Sequence, residues 1–236
     1  MSCKDCDLCR ERTSAVPGEG SPHAGIMFVG EGPGFNEDKQ GRPFIGAAGN
    51  FLTNLLASIG LRREDVFITN MVKCRPPKNR DPLSEEMDAC RHYLDEQIAE
   101  IMPKIIVPLG RHALARWFPG ESIGKLRAQP KNFGAFTLFP LYHPAAALHN
   151  GGLRSTIEED FTKLGALLAS FGSQGLQTIK SYKVGSAALL AVEPETIAEL
   201  ESDAEIPTTP ESALESEPQT GRDKADDPPS QQLSMF

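Results

Sequence analysis

A single carboxylate, Glu31, sits inside the stretch Gly30-Glu31-Gly32-Pro33-Gly34-Phe35-Asn36-Glu37-Asp38, directly after the apolar run Ile26-Met27-Phe28-Val29. Such a run, followed by glycines, reads as a buried strand giving way to a loop. Glycines let a backbone come close to a ligand, Pro33 stiffens the turn, and Glu31 is held at a strand tip, where α/β folds place chemistry. A carboxylate fixed there can serve as an anion or a base; the plain alternative is an ordinary turn with solvated acids. The stretch has neither the lysine of a phosphate-binding loop nor the spacing of a dinucleotide fingerprint.

A second set of reactive side chains is the cysteines. Cys6 and Cys9 enclose two residues, Cys74 and Cys90 enclose fifteen, and Cys3 makes a further two-residue gap with Cys6. The chain has five cysteines and reads as cytosolic, a compartment that keeps thiols reduced, so metal ligation is favoured over a disulfide framework. Four of them suit a tetrahedral zinc site or an iron-sulfur cluster, and the spacing does not separate the two.

These groups need a scaffold, and 236 residues, 39% of them hydrophobic, can bury one core with an appendage left over. No apolar run approaches the roughly 20 residues of a membrane span. Met1-Ser2-Cys3-Lys4-Asp5-Cys6 lacks the apolar region of a signal peptide, so a cytosolic location is expected. The net charge of −8 belongs to the C-terminal part: residues 173–236 hold 12 acids and 4 bases, which leaves 20 of each sign in residues 1–172. A local basic patch therefore stands out at Lys73, Arg75, Lys78 and Arg80, a candidate for phosphate contact.

Strands are predicted at 26–29, 66–69, 104–110 and 136–140. Helices are predicted around Phe51 to Ile59, from a Ser84 cap to about Ile101, from Gly110, and from about Ser155 to Phe171. Strands alternating with helices predict a three-layer α/β/α fold with a central four-stranded parallel sheet and functional loops at one edge. Residues 1–172 are read as this domain, 173–230 as an acidic disordered linker, and 231–236 as an apolar cluster after a polar tether.

Taken together and in order, five motifs resemble the family 4 uracil-DNA glycosylases. They are the Cys6/Cys9 pair, Gly30 to Gly34 with Glu37-Asp38, Gly41-Arg42-Pro43-Phe44, Thr69 to Pro77, and His143-Pro144-Ala145-Ala146-Ala147-Leu148. The resemblance spans about residues 6–170. It implies one [4Fe-4S] cluster held by Cys6, Cys9, Cys74 and Cys90, structural in role, and no nucleotide cofactor. The implied activity is monofunctional hydrolysis of the uracil–deoxyribose bond in DNA, leaving an abasic site, with the base extruded into a pocket.

In that reading Glu31 stabilises the oxocarbenium-like sugar and positions water, and His143 donates to uracil O2. Phe44 stacks on the flipped base, Asn70 reads its edge, and Gly32, Glu37 and Asn79 complete the substrate site. Leu148 is the expected wedge in the DNA, with His149 where an arginine is common. Gln232, Leu233, Met235 and Phe236 resemble the anchors of a bacterial sliding-clamp-binding peptide. The chain is expected to act as a monomer on uracil-containing DNA, away from membranes. A metal-stapled DNA-binding protein without catalysis, and a superfamily member with another lesion preference or covalent chemistry, are the competing readings.

Overall fold

The structure is a computed structural model in which residues 2–171 are described. The acidic linker and the clamp-like peptide lie outside the described residues. Six strands form one sheet: β1 (Glu19–Gly20), β2 (Ile26–Gly30), β3 (Phe67–Asn70), β4 (Ile105–Pro108), β5 (Lys131–Asn132) and β6 (Thr137–Leu138). Their order is β1-β3-β2-β4-β6-β5. The central strands β3, β2, β4 and β6 are mutually parallel. The edge pairs β1–β3 and β5–β6 are antiparallel. The expected central four-stranded parallel sheet is present, and two antiparallel edge strands extend it to six; strands of two residues carry no periodicity that a sequence could display.

Strand β2 explains why the central strands read as unbroken apolar runs. Its alternate side chains serve two cores, Ile26 and Phe28 on one face and Met27 and Val29 on the other. A parallel sheet covered on both faces has no polar side to show. Helices α2 (Ala47–Ser58) and α7 (Leu153–Ser170) cover the first face with Phe51, Leu52, Leu55, Leu56, Phe161 and Leu164. Phe28 and Phe161 stack there with ring centroids 6.1 Å apart. Helix α3 (Ser84–Ile101) covers the other face with Leu94 and Ile98, joined by Ala113 of α4 (Gly110–Ala115). Full burial of each such side chain contributes about 1.5–3 kcal/mol.

Ser84 is the first helical residue rather than the cap; Leu83 holds that place, and its N–H donates to Glu86 Oε2 at 2.8 Å. The remaining helices are short: α1 (Phe35–Gln40), α5 (Ile123–Leu126) and α6 (Ala145–His149). No helix among the described residues is long and apolar enough to cross a membrane.

Sheet order decides where the functional loops meet. The chain leaves β2 for β3 on one side and then crosses to β4 on the other, so the ends of these strands open a crevice where ligands bind in α/β sheets. Glu31 follows β2, Asn70 ends β3, His112 lies just past β4, and His143 follows the bridge that pairs Leu109 with Leu141 beyond β4 and β6.

Candidate active site

The Gly-rich loop is pinned before any ligand arrives. Met71 N–H donates to Gly30 O at 2.9 Å and Val72 N–H to Glu31 O at 3.1 Å, so the Glu31 backbone extends the β2–β3 ladder by one step. Gly30 pairs directly with Asn70. A Cβ on Gly30 would lie 2.4 Å from Asn70 Oδ1 and 2.6 Å from Phe44 Cζ, so only glycine lets those two side chains close over the strand end.

Phe44 is held in an uncommon left-handed conformation, φ +51°, and its ring is buried. Three braces keep it there. Arg63 donates from Nη1 to Phe44 O at 3.0 Å and from Nη2 to Pro43 O at 2.7 Å. Glu37 Oε1 accepts from the N–H groups of Ile45 at 2.9 Å and Gly46 at 2.8 Å. Gly49 completes the fit, since a Cβ there would fall 1.8 Å from Phe44 O. Glu37 is thus the support of the Phe44 loop. The neighbouring Asp38 is buried and accepts from Thr13 N–H at 2.8 Å, tying the N-terminal segment to α1.

The Phe44 ring stacks on His143 with centroids 5.4 Å apart. His143 Nδ1 accepts from Ala145 N–H at 3.1 Å, which leaves the ring hydrogen on Nε2. Burial pushes the His143 pKa down to about 4, so the ring is neutral at neutral pH and is a donor through Nε2. Asn70 is 1% exposed and its Oδ1 has no hydrogen-bond partner. A buried amide oxygen without a donor is costly, and a ligand N–H would remove the cost.

Glu31 is partly buried, and desolvation raises its pKa above the usual carboxylate range. His112 Nε2 stands 3.7 Å from Glu31 Oε2 and 3.2 Å from Asp81 Oδ2, and Arg111 Nη2 donates to that same Asp81 oxygen at 2.6 Å. Glu31, Gly32, Glu37, Phe44, Asn70, Asn79 and His143 all line one cavity of about 400 Å³. It joins an aromatic face, an amide with an open acceptor, a neutral imidazole donor and a carboxylate. That combination can hold a planar heterocycle by face and edge, with an anion beside the group attached to it.

The cysteines form a separate centre. Cys3, Cys6, Cys9, Cys74 and Cys90 line one small cavity with Arg12 and Tyr93. Arg12 Nη1 donates to Cys74 Sγ at 3.2 Å and Lys73 N–H to Cys90 Sγ at 3.3 Å. Burial raises the pKa of Cys6, Cys74 and Cys90, a penalty that metal binding to the thiolates would offset. Around a tetrahedral zinc, with zinc–sulfur bonds of about 2.3 Å, sulfurs stand about 3.8 Å apart. Among the described residues no trio of cysteine sulfurs lies within 4.8 Å of one another; the one donor trio that does is Glu31, Asp81 and His112. Five thiols on one small cavity are a donor set that zinc or an iron-sulfur cluster would take.

Residues 17–164 match the model of the Uracil DNA glycosylase superfamily. The chain belongs to that superfamily. It is 57% identical over 174 residues to a type-4 uracil-DNA glycosylase of Sulfurisphaera tokodaii, covering 70% of this chain and 79% of the relative. Identity to the type-4 enzyme of Saccharolobus solfataricus is 51% over 178 residues, covering 71% and 82%. With that of Thermotoga maritima it is 47% over 175 residues, covering 72% and 91%.

Against this superfamily membership, one expected DNA contact is corrected. Lys73 is 2% exposed, and its Nζ donates to Thr69 Oγ1 at 2.7 Å, Asn70 O at 2.8 Å and Gln97 Oε1 at 2.8 Å. Desolvation lowers its pKa to about 7. It braces the strand end under Asn70 and cannot reach a phosphate. Arg80 pairs with Glu86 at 2.6 Å while still lining the cavity, and Arg75 Nε donates to Asn79 Oδ1 at 2.7 Å. Lys78 is exposed, as is Leu148, at 52%, on α6 just past His143; His149 lines the cavity. His112 and Asp81 are the site residues that sequence reasoning passed over. The available signal was position: His112 follows the end of a predicted strand, at the edge where the loops gather.

Proposed function

We propose that this protein is a monofunctional uracil-DNA glycosylase of base excision repair, hydrolysing the N-glycosidic bond of uracil in DNA. The observation that carries the reading is the convergence of Glu31, Phe44, Asn70 and His143 on one cavity, in a chain 57% identical to a type-4 enzyme. The target base leaves the stack and enters that cavity. Phe44 supports its face. Asn70 Oδ1 accepts from uracil N3–H and Nδ2 donates to O4, whereas cytosine offers the reverse pattern.

Cleavage breaks the C1′–N1 bond, and its electron pair leaves with uracil. His143 donates Nε2–H to O2, where that negative charge gathers. The Glu31 carboxylate faces the positive sugar and orients a water. The water oxygen bonds to C1′ and its proton passes to Glu31, so atoms and charge balance. Arg75, Lys78 and Arg80 supply phosphate contacts and Leu148 the wedge. The test is direct: the full-length protein, given an oligonucleotide with one uracil, releases free uracil and leaves an alkali-labile abasic site there. Absence of release overturns the assignment. Hypoxanthine and thymine mismatches, run in parallel, decide between uracil and another preferred lesion.

The cysteine centre is read as a [4Fe-4S] site held by Cys6, Cys9, Cys74 and Cys90. When bound, such a cluster would be held by these cysteines between the N-terminal segment, the loop after β3 and α3, and would supply a structural cross-link. Cys90→Ser is expected to lose the visible iron-sulfur absorbance and to melt at a lower temperature; purified protein carrying zinc and no iron would count against it. The Gln232 to Phe236 segment is read as a sliding-clamp tether, which raises effective concentration at DNA. Deleting residues 232–236 should abolish binding to a purified bacterial clamp, and undiminished binding would rule the tether out.

A further inference from the structure

We propose that His112 is a positioning residue for the Glu31 carboxylate, held in place by Asp81 and Arg111 and acting on the reaction only through Glu31. This rests on the reading of Glu31 as the anion of the site. The geometry is specific. His112 Nε2 lies between two carboxylates, 3.7 Å from Glu31 Oε2 and 3.2 Å from Asp81 Oδ2. It lies toward the same oxygen, Asp81 Oδ2, that Arg111 Nη2 holds at 2.6 Å. Arg111 Nε also approaches His112 Nε2 at 2.9 Å. Nε2 therefore accepts from Arg111 in this structure, and at 3.7 Å its approach to Glu31 is an electrostatic contact rather than a hydrogen bond.

The element that presents His112 supports this role. Helix α4 starts at Gly110, whose N–H donates to Leu141 O at 2.8 Å, and Leu109 N–H donates to Val29 O at 2.8 Å. The start of α4 is thus fixed to the ends of both β2 and the β6 segment, which carry Glu31 and His143. The His112 side chain is 21% exposed, against 57% for Asp81 and 70% for Arg111, so the group nearest Glu31 is the best enclosed of the three. The charged and titratable groups that act on Glu31 are His112 and Arg111 from α4 and Asp81 from the loop before α3. Burial raises the Glu31 pKa, His112 and Arg111 lower it, and Asp81 raises it.

The role has two consequences of opposite sign. Glu31 works ionised, so activity falls as pH drops through its pKa. Removing His112 takes away a group that favours the anion and moves this acid limb to higher pH. Removing Asp81 takes away a repelling charge and moves the limb to lower pH.

The experiment uses the full-length protein with its cysteine centre intact and measures single-turnover uracil excision from pH 5 to pH 8. His112→Gln is expected to lose about three- to tenfold in rate at pH 5, and less at pH 8, a range discounted for solvent screening. Asp81→Asn, at an exposed position that folding tolerates, is expected to shift the limb the other way. In parallel, NMR titration of the Glu31 carboxyl carbon should move up in His112→Gln and down in Asp81→Asn. Limbs that coincide with the parent's, or a loss equal at every pH, overturn the proposal. An active parent whose Glu31 titration ignores both substitutions sinks the positioning role alone. A parent with no excision activity, whose Glu31 titration still responds, sinks the functional reading and with it the catalytic role of the pair.

Discussion

Glu31→Gln is expected to slow uracil excision by about a hundred- to a thousandfold while leaving the fold intact. That is the size of effect seen when one preorganised electrostatic group is removed from a transition state. Glutamine keeps the shape of the side chain and its place at the tip of β2, where Val72 N–H holds the Glu31 carbonyl whatever the side chain. What it lacks is the charge opposite the sugar and the capacity to take a proton from water. Loss should therefore appear in the single-turnover rate and scarcely in binding to uracil-containing DNA. Burial lifts the Glu31 pKa above that of an ordinary carboxylate, so the parent's activity should decline on acidification while Glu31→Gln stays low and flat. A variant with near-parental turnover would remove Glu31 from the mechanism.

His143→Ala should cost a comparable factor for a different reason. The ring is neutral because burial pushes its pKa down to about 4, and Ala145 N–H occupies Nδ1, so Nε2–H is the donor at every pH above that value. The ring therefore stays mostly neutral between pH 5 and pH 8. An acid limb in that window is expected from Glu31 and should survive, at lower amplitude, in His143→Ala. His143→Gln, which keeps a donor of similar reach, should recover part of the loss. Alanine also removes the partner that the Phe44 ring stacks on at 5.4 Å, so weaker base binding is expected alongside the slower step. Disappearance of the acid limb in His143→Ala would reverse the assignment of the two groups.

Much of this arrangement was legible before any coordinates. The runs at 26–29 and 104–110 read as strands because both faces of the central strands are covered, leaving long apolar stretches. The edge strands Glu19–Gly20 and Lys131–Asn132 had no such signature. Lys73 shows the limit from the other side. In sequence it is one of four bases in a loop, alike in type to Arg75, Lys78 and Arg80. In the fold it is the underside of Asn70, because Thr69 and Gln97, one of them 24 residues away, close over its ammonium group.

Residue types and spacing picked out candidate groups, a carboxylate among glycines and cysteines spaced for a metal, and the resemblance added an amide and a histidine at strand ends. Such information is local, since each motif carries its own turn and its own strand tip. Only the tertiary structure decided which groups face one another. The switch of strand order around β2 brings α4 beside the Gly-rich loop, and that contact gives Glu31 its neighbours His112, Asp81 and Arg111. Distances between loops on different strands depend on register and packing across the whole sheet, and no spacing within one segment encodes them.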